Sequence, residues 1–146
     1  MTNKIETLYT TIATLLNTAG ISNVLRIPDD IRRIGNYFPM ALLQEGTQDY
    51  LLTSGQQYEY DVVMNIYIVS DVIEGQSKYM NDLQVAVFNQ LFANSNLSGV
   101  VRKIDPISVD PGASTQLSGI LVNAGFSEAC VVRQISCRIK LLDARY

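Results

Sequence analysis

The chain reads as an α+β protein: a mostly antiparallel β-sheet with an N-terminal helix and a central helix packed on one of its faces. Three observations predict this. Residues 58–69 alternate with a period of two and contain neither Gly nor Pro, which is the signature of a long strand. Residues 2–18 and 78–93 instead carry their apolar side chains at helical spacing. Residues 130–142 return to an alternating pattern, so strands precede and follow the central helix.

In order, Ile5, Leu8, Tyr9, Ile12, Leu15, Leu16 and Ala19 form one stripe of the first helix, and Gly20 stands where a left-handed residue ends it. Residues 20–37 read as a long connection with one short helical turn, begun by Pro28 with Asp29 and Asp30 and closed by Gly35. Residues 39–45 and 49–53 read as two short strands. Ser54-Gly55 is expected to turn the chain into the long strand, where Tyr58, Tyr60, Val62, Met64, Ile66 and Ile68 share a face. Met80, Leu83, Gln84, Val87, Phe88 and Leu91 mark the buried face of the second helix, Gln84 being its polar member. Residues 99–109 form a strand interrupted by Pro106, which predicts an edge strand, a bulge or two half-strands. Residues 110–128 read as a second long loop holding a short segment at 117–122. In the last strand Val131, Ile135, Cys137, Ile139 and Leu141 face inward, Gln134, Ser136, Arg138 and Lys140 outward, and Arg133 falls on the inward row. No linker or repeat divides the 146 residues, so one domain spanning 1–146 is expected.

Composition narrows the function. There is no histidine, which removes the commonest general base and metal ligand. No nucleophile elbow and no glycine-rich phosphate loop is present. Cys130 and Cys137 stand at opposite parities of one strand, roughly 23 Å apart, too far to bond. Glu59 and Asp61 share a strand face, about 6.8 Å apart along it, but lack a third ligand or an activating base. The sequence therefore points away from an enzyme and implies no cofactor or metal. No apolar run reaches the ~18 residues needed to span a membrane. The first residues lack the basic start and apolar run of a secretory signal, so the protein is expected to remain in the cytoplasm where it is made.

The net charge of −3, with a pI near 4.8, argues against general nucleic-acid binding. Its distribution is uneven. Residues 38–101 carry Glu45, Asp49, Glu59, Asp61, Asp71, Glu74 and Asp82 against Lys78, while both flanks are mildly basic. Such a block is either a solvated face or a surface that meets a basic partner or repels DNA. Arg26, Arg32 and Arg33 are the basic cluster of the first two thirds, suited to an acidic surface on a neighbouring copy. Tyr50, Leu51 and Leu52 are candidate contact residues on a short edge element, with core packing as the alternative.

The elements taken together resemble the tail terminator (tail completion) family of long-tailed bacteriophages, which includes the lambda-type minor tail protein U. The likeness is carried by the N-terminal helix, then Phe38-Pro39-Met40-Ala41-Leu42-Leu43-Gln44-Glu45-Gly46. A hairpin into residues 58–69 follows, then a helix ending near 94–97 and a closing strand at 131–141. Pro106 and the segment at 117–122 depart from that pattern. The resemblance implies a virion protein of the tail or neck. It would form a homo-oligomeric ring, usually a hexamer, that caps the tail tube, stops its polymerisation and joins the head–tail connector or stopper protein. Its partners would be copies of itself, the tail tube protein and the connector; DNA would pass through without specific binding, and no membrane is involved. In that setting Arg26, Arg32, Arg33, Tyr50, Leu51 and Leu52 would meet neighbours, and Glu59 and Asp61 would line the channel. The alternatives are a head-completion ring of the neck and, in another class, a small cytosolic α+β binding module.

Overall fold

The centre of the molecule is a 15-residue strand, β3 (Gln57–Asp71), hydrogen-bonded on both sides to strands of equal length, β2 (Met40–Ser54) and β5 (Cys130–Ala144). A short strand β1 (Asn23–Arg26) flanks β2, and β4 (Lys103–Asp110) flanks β5, giving the order β1-β2-β3-β5-β4. All neighbours run antiparallel except β1 and β2. Helix α1 (Lys4–Thr18) precedes β1, and α2 (Gln76–Leu91) links β3 to the last two strands. The computed structural model describes residues 4–27, 29–30, 38–54, 57–71, 76–93, 97, 100–111 and 130–144.

Alternation sets the core. Tyr60, Val62, Met64, Ile66 and Ile68 of β3 share one face with Ile135, Cys137, Ile139 and Leu141 of β5, and with Ala41 and Leu43 of β2. Against that face pack Leu8, Tyr9, Ile12 and Leu16 of α1 and Met80, Leu83, Val87 and Leu91 of α2. Both helices therefore cover the same side of the sheet, and the α+β architecture expected from the sequence is the one observed.

The helix end at Gly20 has a specific cause. Ile21 N–H donates to the Leu16 carbonyl and Gly20 N–H to the Asn17 carbonyl, both at 3.1 Å, while Gly20 holds φ +106°. This pair of bonds satisfies carbonyls the helix leaves open and places Ile21 beside Leu16 in the core. On the outer side of α1, Thr10, Thr11, Thr14 and Thr18 donate their hydroxyls to the carbonyls four residues back, so the backbone absorbs the polarity of that surface.

Three local expectations need correction. The connection over 20–37 contains β1, whose Leu25 lies beside Leu42 and is buried, while Val24 packs on the core side. Its turn begins at Ile27, where Asp30 N–H donates to the Arg26 carbonyl at 2.7 Å; residues 31–37 lie outside the described residues. The two short strands at 39–45 and 49–53 are one strand, since β2 runs through Gly46 by a bulge between Glu45 and Gln48. Gly46 suits that bulge because a Cβ there would lie 3.3 Å from the Val63 side chain and carbonyl. Pro106 stands in the edge strand β4, next to a register shift between Pro106 and Ser108, so the edge and the bulge occur together. The turn at 55–56 and the loop over 112–128, including the segment at 117–122, lie outside the described residues.

Two polar residues on apolar rows explain each other. Arg133 Nη1 donates to Asn81 Oδ1 at 2.7 Å and to Gln84 Oε1 at 2.9 Å, so the inward arginine of β5 is held by the polar positions of α2. Arg133→Ala is expected to destabilise the fold by about 1–3 kcal/mol by leaving Gln84 without its donor. Combining Arg133→Met with Gln84→Leu should recover much of that loss, because both polar partners are then replaced together. Chemical unfolding of the two variants checks this.

Candidate functional site

Beyond the helices the long strands continue. The face they cover is buried from Tyr60 to Ile68 along β3, whereas the β2–β3 pairing runs on to Ser54↔Gln57. A 15-residue strand spans roughly 50 Å, and a helix of 15 or 16 residues only about 23 Å. The end of the three-stranded ribbon beyond Tyr60, reaching Ser54, Gln57 and Ala144, is a short arm. Tyr50, 53% exposed, lies on it and stacks on the buried Tyr60 with ring centroids 5.0 Å apart. Leu51 and Leu52 follow in β2, with side chains outside the described ones.

Of the three expected arginines, the described residues include Arg26. Arg26 is engaged internally: Nη1 and Nη2 both donate to the Glu6 carboxylate, the second at 3.0 Å, and the guanidinium lies 3.7 Å from the Tyr9 ring centroid. Its backbone N–H donates to Asp30 Oδ2 at 2.9 Å, and Asp29 stands 3.9 Å from Nε. The guanidinium holds the Glu6 carboxyl below its ordinary range. Tyr9 is pushed up to about 12 by burial and, further, by the Glu45 carboxylate beside it. Two shallow hollows of about 190 and 270 Å³ meet at Tyr9 and Arg26. Arg32 and Arg33 lie outside the described residues. Arg26 stands opposite Leu43, seven residues along β2 from Tyr50 and so roughly 23 Å away. These two parts of the expected contact surface are separate.

Glu59 and Asp61 do share a face, the one turned away from the helices. On its inner half that face is apolar and buried, at Leu25, Met40, Leu42, Tyr67, Val69 and Val132. A polar ladder follows: Ser136 Oγ donates to Asn65 Oδ1 at 2.8 Å, Gln134 Nε2 to the same oxygen at 3.2 Å, and Tyr67 OH to Gln44 Oε1 at 3.3 Å. Toward the arm the face becomes charged. Asp61, Lys103, Asp105, Arg138 and Lys140 surround a hollow of about 230 Å³. Lys103 pairs with Asp105 at 3.3 Å, and Lys140 reaches Glu59 at 3.8 Å. Asp61 Oδ1 is buried with no hydrogen-bond donor.

Sequence reasoning placed Arg138 and Lys140 on an outward row but gave them no role. The missing signal is pairing: the acidic strand β3 and the basic strand β5 are neighbours in space, 69 or more residues apart in the chain where Asn65 meets Gln134. Among the described residues no group of three His, Cys, Asp or Glu side chains is placed to hold a metal ion, and no helix is long and apolar enough to cross a membrane. Comparison of the chain with protein-family models and with curated proteins finds no match.

Proposed function

We propose that the protein is a virion structural component, a tail terminator whose copies form a ring on the end of the tail tube, halt its growth and offer the surface that receives the head. The observation that carries this reading is the arm. Three paired strands that continue past the buried Tyr60 offer neighbouring subunits a short projection, with Tyr50 exposed on it. A subunit in a closed ring needs two different complementary surfaces. The arm with Tyr50 and the helix-side surface around Arg26, Glu6 and Asp29 are two such surfaces. The sequence resemblance supplies the tail-tube partner and the hexameric count; the fold supplies a subunit suited to that use.

The argument from like charge for a DNA passage does not extend to Glu59 and Asp61. Lys140 stands 3.8 Å from Glu59 and directly opposite Asp61, so the local field is mixed. Tube polymerisation is the functional test. Tubes assembled from the tail tube protein of the same virus should stop lengthening when this protein is added, and tubes that grow at an unchanged rate would contradict the reading.

A further inference from the structure

The two edges of the sheet carry opposite charge. β1 ends at Arg26, opposite Leu43, so among the described residues β2 has no strand beside it on that side from Gln44 onward. Gly46, Thr47, Asp49 and Tyr50 are exposed along this uncovered stretch. The hollows of about 190 and 270 Å³ lie in the resulting notch, and their charged lining is Glu6, Asp29, Asp30 and Glu45 against Arg26. Arg26 is engaged by Glu6 and Asp29, while Glu45 accepts from the neutral Gln48 at 3.1 Å, so the notch keeps an acidic excess. The other edge, four strand spacings or roughly 19 Å away, is basic. There Arg102 N–H donates to the Lys140 carbonyl at 2.9 Å, and Lys103 stands opposite Lys140. Asp105 engages Lys103, and Glu59 reaches Lys140. The Arg102 and Arg138 side chains are exposed and make no hydrogen bond or ion pair among the described residues. Strand register sets the two edges level: the row from Glu45 runs through Met64 and Cys137 to Pro106 of β4, and Arg138 follows Cys137.

We propose that the notch receives the β4 edge of a second copy of the chain, with Arg102 and Arg138 of one copy set among Asp29, Asp30 and Glu45 of the next. A guanidinium suits such a socket, because its planar fork of donors meets carboxylates two oxygens at a time. Glu45 pairs with Met64 on the helix side of the sheet, whereas Arg138 pairs with Val63 on the other side. Successive copies therefore overlap at their edges and do not stack face on face. The apolar half of the outer face, buried at Met40, Leu42, Val69 and Val132, takes no part. Nor does the contact draw on Lys103 or Lys140, which have carboxylates of their own; the two unpaired arginines carry it. Its two surfaces differ, so it is heterologous and repeats head to tail until the rotation between copies closes a ring. The inference deepens the ring reading, and rests on it for closure, by naming what the helix-side surface around Arg26 receives.

The test is sedimentation velocity on the full chain, with circular dichroism on each variant. The wild type is expected to associate at low salt and to dissociate as salt is added, because the groups that meet are exposed charges. Arg102→Glu with Arg138→Glu makes both surfaces acidic, and Asp29→Lys with Glu45→Lys makes both basic. Each double variant should associate about a hundredfold more weakly than the wild type, since like charges then face each other across the contact. Mixing the two should restore association, because every edge again meets a notch of opposite sign, and native mass spectrometry should find the two variants alternating in equal number. All four changes in one chain should restore it as well. A wild type that stays monomeric at low salt assigns the notch to another partner and overturns the proposal. Variants that associate as the wild type does, or a mixture of folded variants that stays monomeric, would also overturn it. Arg102 and Arg138 are exposed, so their variant decides the matter even where the notch variant fails to fold. Tube growth is read separately on the wild type: association through this contact while tubes keep lengthening overturns the tail terminator reading and keeps the contact.

Discussion

Ile66→Ala is expected to lower the stability of the fold by about 2–5 kcal/mol, the range for truncating a fully buried aliphatic side chain. Ile66 has no solvent exposure and sits in the middle of the central strand, opposite Leu43 on one side and Ile135 on the other. Both of those neighbours belong to the same core, so the lost methyl and methylene groups leave a cavity that three strands border. Native stabilities of about 5–15 kcal/mol make this a large fraction of the total. The control is Val85→Ala on α2, where the side chain is 58% exposed and the change should stay within about 0.5 kcal/mol. Urea unfolding of the two variants gives the comparison. Equal effects would mean that the inward face of β3 has been assigned to the wrong parity.

Alkaline pH should weaken the fold through Cys137. Burial among apolar side chains pushes its thiol from an ordinary 9.0 up to about 12, with a smaller opposing contribution from the Met64 backbone. Below pH 9 the thiol is protonated in both folded and unfolded chains, and its contribution is constant. Above that value the unfolded chain ionises while the folded chain does not, so the unfolded state gains and stability falls. The gap between the two values corresponds to roughly 4 kcal/mol once pH 12 is reached. Tyr9 acts in the same direction from about pH 10, since its hydroxyl is also raised to about 12, with a smaller effect because its rise starts from 10.0. Thermal melts between pH 8 and 11 should show the midpoint falling, and Cys137→Ser should flatten the first part of the fall. A Cys137→Ser profile that superimposes on the wild type would contradict this account of the burial.

The elements that were legible in the sequence are those with a long, uninterrupted period. The alternation of residues 58–69 and 131–141 and the helical stripes of Leu8 to Leu16 and Met80 to Leu91 each specify one face. Those faces meet in the core. β1 escaped because four residues hold too few turns of a period, and its identity comes from the parallel pairing of Leu25 with Leu42. The division of β2 at Gly46 followed a sound rule about glycine in strands, but here the residue accommodates a bulge against Val63. Gln84 and Arg133 were each visible as polar exceptions, and only the packing of α2 on β5 shows that they satisfy one another.

The candidate surface was less legible for the same reason. Local sequence separates charge into an acidic middle and basic ends, whereas the β3–β5 and β4–β5 pairings set Asp61, Lys140 and Lys103 side by side. Arg26 stood out as a cation suited to an acidic neighbour, and only the approach of α1 shows that Glu6 and Tyr9 lie against it. Tyr50 is the expected contact residue whose side chain is found exposed.

The measurement that tests the central claim most directly is negative-stain electron microscopy of the purified protein mixed with tail tubes of the same virus. The account predicts a ring seated on one end of each tube, with tubes of uniform length when the protein is present during assembly. Tube ends left bare at saturating protein, or a ring found solely on the portal vertex of the head, would contradict it.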